Sequence, residues 1–258
     1  MALASAGILF TVARRIRIDH WSVRFFDFPL VQLTVFNLTV LAIYTVRIQE
    51  WGLLEIIILT LLILSILYNI YVIYPYTPLA KNEVVNAPAN SDEKRHIRIM
   101  VSNVFMNNRS YDKLLNLVKS ENPDVLITLE TDKAWEKSLI VLENEYAYSH
   151  KIALKNMYGM HLYSKMPVSN IEERYLIQED VPSIRCRLTL NDGTPVTLYA
   201  VHPKPPSPTE NDFSTARDGE LYKIAMELED YKDPVIVAGD LNDVAWSHST
   251  RLFQRISG

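Results

Sequence analysis

Asp240 and Asn242 are the residues from which chemistry is most readily read. They lie two apart, directly after the run Val235-Ile236-Val237-Ala238-Gly239, so in extended chain a carboxylate and an amide leave on the same side. Such a pair can hold an attacking water and steady a phosphoryl oxygen. The small and branched apolar residues predict a buried strand, and Gly-Asp-Leu-Asn its exit into a loop. Gly-Asp and Asn-Asp are also ordinary turn residues, so the pair alone decides nothing. Three further stretches end in the same manner: Ile97-Arg98-Ile99-Met100-Val101-Ser102 in Asn103, Pro123-Asp124-Val125-Leu126-Ile127-Thr128-Leu129 in Glu130, and Thr197-Leu198-Tyr199-Ala200-Val201 in His202. A hard cation such as Mg²⁺ prefers a few oxygen ligands and keeps several waters, so one carboxylate at Glu130 with amide help from Asn103 is a candidate anchor. A histidine at a strand end near a metal can give a hydrogen bond or a proton to a phosphoryl oxygen. Each residue also has a plainer reading: Asn103 opens a turn, Glu130 is the acidic residue of a helix N-terminus, His202 is structural. Four strand ends carrying Asn, Glu, His and Asp-x-Asn are far less expected together by chance.

The elements that must position these groups form a mixed domain. Apolar runs predict strands at Ile97 to Ser102, Val125 to Leu129, Met160 to Tyr163, Ile184 to Leu190, Val196 to Val201 and Val235 to Ala238. Helices are predicted at Ser110 to Ser120, Asp132 to Glu143 and Thr215 to Tyr231. Asn191-Asp192-Gly193 joins two of the strands as a hairpin, so the sheet is partly antiparallel. Pro203, Pro205 and Pro206 hold the chain extended after His202, and the stretch from Pro203 to Asp218 is a candidate specificity loop. Lys204 and Arg217, with Arg185 and Arg187, are candidates for a phosphate-binding face; basic residues on strands and helices are otherwise simply solvated. The single cysteine, Cys186, excludes an internal disulfide and any cysteine-based zinc cluster, and its place in an alternating strand makes it structural.

The mean hydropathy of +0.01 averages two unlike parts. Residues 1 to 76 read as a membrane segment. Trp51 to Tyr74 holds one charge, Glu55, and is long enough to span the hydrocarbon core, which needs about 20 apolar residues; Trp51, Tyr68, Tyr71 and Tyr74 suit an interface belt. Pro29 to Val46 is a second candidate span, so the pair runs over about residues 29–46 and 52–74 with a tight connection from Arg47 to Glu50. Residues 1 to 13 are apolar but short, and arginines 14, 15 and 17 follow rather than precede them, unlike a signal peptide. They are either part of a span or a segment on the membrane surface. The basic loop of Arg14, Arg15, Arg17 and Arg24 leans towards a cytoplasmic placement, which returns the chain to the cytoplasm after two crossings; a span at 1 to 13 inverts that order. Residues 77 to 95 are polar and Pro-containing, a linker. With 26 Lys and Arg against 30 Asp and Glu, no global basic excess marks nucleic acid as the partner, so any such substrate is met by a local patch.

The succession strand-Asn103, Pro-Asp-Val-Leu-x-x-x-Glu130, Gly159-Met160-His161-Leu162-Tyr163-Ser164-Lys165-x-Pro167, strand-His202 and Gly239-Asp240-x-Asn242 resembles the endonuclease/exonuclease/phosphatase superfamily. The likeness covers about residues 95 to 258. A closer similarity is to its bacterial membrane-anchored, YafD-like branch, carried by the apolar spans, the Asp27-Phe28-Pro29 triplet and the stretch from Gly239 to Ser247. The resemblance implies a four-layered α/β sandwich of the DNase I-like type over residues 96–258, preceded by transmembrane helices. It implies Mg²⁺ or Mn²⁺ as cofactor, Glu130 as the metal carboxylate, Asn103 as a metal-site or phosphate-orienting amide, and His202 on the phosphate. Asp240 would orient or activate the water and Asn242 contact the scissile phosphate in a metal-assisted, in-line attack. Phe105 departs from members with an additional acidic residue there. Family members also end with a strand region holding an Asp-His pair, whereas this sequence stops at Arg255-Ile256-Ser257-Gly258; that implies a sandwich incomplete at the C-terminus, with exposed apolar edges and little activity. His248 is no substitute, since it opens the last helix as a cap or surface residue.

Two functions of different class follow. One is a phosphodiesterase or nuclease integral to the bacterial cell membrane, whose partners are the lipid bilayer and a phosphoester substrate, nucleic acid or phospholipid, with no obligate protein partner evident. The other is a non-catalytic membrane protein whose sandwich binds a phosphorylated ligand or partner. The spans carry no ionisable pair near mid-membrane, which argues against transport.

Overall fold

Runs of Leu, Ile and Val long enough to satisfy their own backbone become the longest helices of the protein. The computed structural model describes residues 1–48, 50–88 and 92–258; residue 49, in the connection between the two apolar helices, and residues 89–91, in the linker, lie outside the described residues. The chain divides into two compact units, Met1–Asn86 with Pro205–Thr215 and Asp243–Arg255, and Ala87–Lys204 with Ala216–Asn242 and Ile256–Gly258.

In the first unit α1 (Ala2–Ala13), the short α2 (Trp21–Arg24), α3 (Leu30–Arg47) and α4 (Leu53–Ile73) precede the linker. The 18 residues of α3 and 21 of α4 give lengths of about 27 and 32 Å at ~1.5 Å per residue. Ala4, Val40, Ile58, Leu62 and Ile66 form their shared seam. The amides of Asn37 and Asn69 both donate to Thr11 Oγ1, at 3.3 and 3.5 Å, which pairs polar groups that would otherwise be buried alone. The α1 helix is thus packed along both long helices, with Gly7 so close to Asn37 that a Cβ there would lie 2.0 Å from its Oδ1. The outward faces stay apolar: Val35, Leu38, Leu54, Leu64 and Leu67 are all exposed. Of the later segments, Pro205–Thr215 joins this unit by main-chain bonds, Trp21 N to Asp212 O and Ser214 N to Asp19 O, both 2.8 Å.

The second unit holds eight strands in two four-stranded sheets. The first has the order β1 (Ile99–Asn103), β2 (Val125–Leu129), β4 (Met160–Ser164), β3 (Tyr148–Ile152); the second runs β5 (Val168–Arg174), β6 (Ser183–Thr189), β7 (Pro195–Val201), β8 (Val235–Gly239). Alternate residues of both sheets meet in one core: Ile127, Leu129, Met160 and Leu162 from the first, Ile184, Cys186, Leu198 and Ala200 from the second. Burial pushes the Cys186 thiol up to about 12, in keeping with a structural cysteine. The outer face of the first sheet packs under α5 (Tyr111–Glu121) and α6 (Lys133–Ser138) through Leu114, Val118, Leu126, Trp135 and Tyr163. Outside the second lies α7 (Thr215–Leu228), which buries Leu221, Ile224 and Ala225; its Glu227 accepts from Tyr199 Oη at 3.1 Å. The α8 helix (His248–Ser257) follows β8. The layers are therefore helix, sheet, sheet, helix.

Two details depart from the sequence reading. β3 and β5 are edge strands whose outward residues are polar and exposed, so they lack the apolar alternation that marks a strand. The helix expected from Asp132 to Glu143 stops at Ser138 and continues as a 3-10 segment, Ile140–Asn144. That break lets Trp135, Leu139 and Leu142 all reach the core. The Asn191-Asp192-Gly193 hairpin forms as read, with Gly193 at φ 88.

Candidate functional site

Register brings the polar strand ends together in pairs. β1 and β2 run parallel with Asn103 opposite Leu129, so Glu130 is the next residue out. β7 and β8 run parallel with Val201 opposite Gly239, which places His202 and Asp240 at adjacent exits. Gly239 is needed there: at φ 147, a Cβ would stand 1.9 Å from the carbonyl oxygen of Val201. Gly159 is needed for a similar reason, because a Cβ would lie 1.8 Å from Thr131 O; its own carbonyl accepts from Thr131 N at 3.1 Å and so fixes the turn after β2. Phe105, Glu130 and Asn242 all adopt left-handed backbone, at φ 55, 61 and 50. Such conformations cost on the order of 1–3 kcal/mol each and collect at functional sites.

The centre of the arrangement is an amide between two carboxylates. Asn103 Nδ2 donates to Glu130 Oε1 at 2.7 Å and to Asp240 Oδ2 at 3.2 Å, joining the ends of β1, β2 and β8. Its Oδ1 accepts from Phe105 N at 3.1 Å, which sets the amide's direction. Glu130 Oε2 accepts from Met106 N at 3.4 Å, and Asp240 Oδ1 from Asn242 N at 3.0 Å. Asn242 Nδ2 in turn donates to Pro203 O at 2.9 Å, anchoring its loop beside His202. Two carboxylates held this close repel one another unless a cation or a donor lies between them. Among the described residues no three His, Cys, Asp or Glu side chains gather as a metal site. An oxygen-only pair suits a hard divalent cation.

The sequence profile of the Endonuclease/Exonuclease/phosphatase family matches residues 100–258. The chain belongs to that family. Solved structures agree with the fold. TDP2 of D. rerio, crystallised with a single-strand DNA product, is 16% identical with a TM-score of 0.51 over 63% of this chain and 65% of its own. A D. rerio TDP2 humanised by 14 mutations is 17% identical with a TM-score of 0.50 over 58% of this chain and 64% of its own. The chain spans just under two thirds of the length of these structures. No curated protein matches the sequence.

Within this member of the family, two expected phosphate-facing cations are committed elsewhere. Lys204 Nζ bonds Asp180 Oδ2 at 2.7 Å and sits over the Tyr158 ring at 5.3 Å, so its charge is already compensated. Arg217 is buried. Its Nη1 donates to Asn242 O at 2.8 Å while Nε and Nη2 hold Asp218 Oδ1. It braces the Asp240 to Asn242 loop from within. Arg185 and Arg187 pair with Glu172 and Asp233. His202 is 3% exposed, its ring 5.0 Å from that of Tyr158.

Some contributors escaped the sequence reading. The N–H groups of Phe105 and Met106 orient Asn103 and Glu130, and backbone donors leave no signature in residue type. Arg109 forms a two-pronged pair with Asp132 at 3.1 and 2.9 Å, which holds the Asp132 carboxyl below its ordinary range. That aspartate also caps α6 through Ala134 N and Trp135 N. An Asp at the residue just before a tryptophan-bearing helix was the available signal.

Proposed function

We propose that the protein is a membrane-anchored, Mg²⁺- or Mn²⁺-dependent phosphodiesterase or nuclease that hydrolyses a phosphoester by in-line attack of water. The observation that carries this reading is the Asn103 amide bonded at once to Glu130 and Asp240, from the ends of different sheets. Glu130, with the Asn103 amide beside it, would hold the cation, with water completing its shell. When bound, it supplies charge for the phosphoryl oxygens. Asp240, fixed by Asn242 N, takes the proton side of the attacking water, and Asn242 lies beside it to meet the phosphate. His202, at the neighbouring exit, gives a hydrogen bond to the phosphoryl group. Little covalent chemistry falls to the protein in such a reaction, so holding these groups in place is most of the catalysis.

Anchoring rests on α3 and α4, long and apolar enough to cross a membrane, and on their exposed apolar faces. A helix apolar on all sides suits lipid rather than water. We place it in the YafD-like branch and in the bacterial cell membrane on the same ground. The substrate class is a nucleic acid or a phospholipid-type phosphoester.

The test is hydrolysis of bis-p-nitrophenyl phosphate by the full-length protein in detergent, with Mg²⁺ or Mn²⁺, beside Glu130→Ala and Asp240→Ala. Metal-dependent turnover abolished in both variants supports the reading. A folded protein inert on that diester and on DNA, RNA and phospholipid overturns it in favour of a binding module.

A further inference from the structure

The first unit contains a second polar site that hydrolysis does not use. A cavity of about 70 Å³ is lined by five arginines, Arg14, Arg15, Arg17, Arg24 and Arg251, and by a single carboxylate, Asp27. A cavity needs only about 10–15 Å³ to hold one water, so this one admits a tetrahedral anion. It lies where three helices end: Arg14 caps α1, Asp27 precedes α3, and Tyr68 belongs to the last turns of α4.

The Arg14 side chain is only 4% exposed, and its Nε stands 3.5 Å from Asp27 Oδ1. Arg24 Nη1 is 3.8 Å from Asp27 Oδ2. Both separations exceed the roughly 2.7–2.9 Å of a charge-assisted hydrogen bond. Arg14 Nε and Nη1 and Arg24 Nε are buried with no hydrogen-bond partner among the described residues. Buried cations demand compensation of charge and of donors, and one carboxylate shared by two guanidinium groups supplies too little. Arg15 is fixed in place, its Nη1 donating to Tyr68 Oη at 3.1 Å. What is missing is a compact anion with several acceptor oxygens, and the planar fork of arginine matches phosphate.

We propose that this cavity binds a phosphate group, separate from the one to be hydrolysed. Its source is either an anionic lipid headgroup or a soluble phosphate. The lipid source rests on the membrane reading given above, because a pocket at the helix ends would then lie at headgroup depth; the phosphate chemistry does not.

Thermal unfolding of the full chain, metal-free and at constant ionic strength, tests it. One arm titrates inorganic phosphate against chloride in detergent. The other compares nanodiscs of phosphatidylcholine with and without phosphatidic acid. Stabilisation in the first arm identifies soluble phosphate as sufficient; stabilisation in the second alone identifies a lipid headgroup. In either case Arg24→Gln and Arg251→Gln should weaken the apparent affinity by about tenfold each, with diester hydrolysis retained, while Asp240→Asn should keep the stabilisation and lose hydrolysis. Stabilisation in neither arm, or stabilisation unchanged in both arginine variants, overturns the proposal whatever the outcome for hydrolysis.

Discussion

The indole Nε1 of Trp246 donates to the main-chain carbonyl of Asp27 at 2.8 Å across 219 residues of sequence. It links the stretch after the Gly-Asp-x-Asn turn to the Asp-Phe-Pro triplet before α3. The indole also meets the Tyr76 ring edge-on at 5.8 Å, and Tyr76 Oη donates to Ala245 O at 2.8 Å. Trp246→Phe keeps the ring contact and loses the bond, so it should cost about 1 kcal/mol. Trp246→Ala loses both and should cost about 2 kcal/mol or more. Denaturant unfolding of the full chain in micelles measures each. An unchanged midpoint for Trp246→Phe would deny the bond any role in stability.

Asn103 does its work through a nitrogen placed between two oxygens of like charge. Asn103→Asp removes both donors and adds a third carboxylate at that point. Turnover of a phosphodiester should fall by about 10²-fold or more, with the fold retained because Asn103 is exposed at a strand end. Steady-state kinetics at saturating Mg²⁺ decide, and wild-type turnover would remove Asn103 from the site.

Arg217 offers a way to tell a brace from a substrate contact. Its inward bonds to Asn242 O and Asp218 mean that Arg217→Lys loosens the loop without touching a bound phosphate. We expect kcat to drop by about tenfold while KM stays level. A raised KM with kcat intact would instead return Arg217 to the phosphate-binding face.

Gly239 combines a close approach with an unusual backbone, its Cβ position 1.9 Å from Val201 O and φ at 147. Gly239→Ala combines a backbone clash with a disfavoured conformation and should destabilise by about 3 kcal/mol or more. The effect is read as a lowered Tm, and tolerance of the alanine would show that β7 and β8 part more easily than their register implies.

The strand ends were legible because a strand buried on both faces writes a short apolar run, and the polar residue closing the run is visible at once. β2 is the clearest case, buried at all five positions from Val125 to Leu129. β5 was not legible, since Ser169, Glu172 and Glu173 keep it polar along an edge. Residue type says that Lys204 and Arg217 carry charge but not which way they point; Asp180 and the Asn242 carbonyl settle that, one 24 residues upstream and the other 25 downstream. The same holds for Trp246 and Asp27, which lie in stretches noticed separately and joined only by the fold.

Burial of Glu220 supplies a pH dependence of its own. On α7 its carboxyl is 3% exposed and Oε1 has no hydrogen-bond partner among the described residues. Burial pushes it from 4.5 up to about 7, against a smaller opposing pull from Arg174. Between those values the folded protein keeps a proton that the unfolded chain has released. The associated stability is therefore complete below pH 4.5, declines as pH rises, and is gone above about 7. At ~1.4 kcal/mol per pH unit the swing is about 3 kcal/mol. His161 runs in the opposite direction: burial lowers its imidazole from 6.5 to about 4, so its contribution is present above 6.5 and lost as pH falls through 4. Because the two partly cancel in the wild type, Glu220→Gln separates them. Its stability relative to wild type should rise by about 3 kcal/mol between pH 4.5 and 7, measured by denaturant unfolding at each pH. A difference that stays flat across that window would mean that Glu220 is ionised in the folded protein throughout.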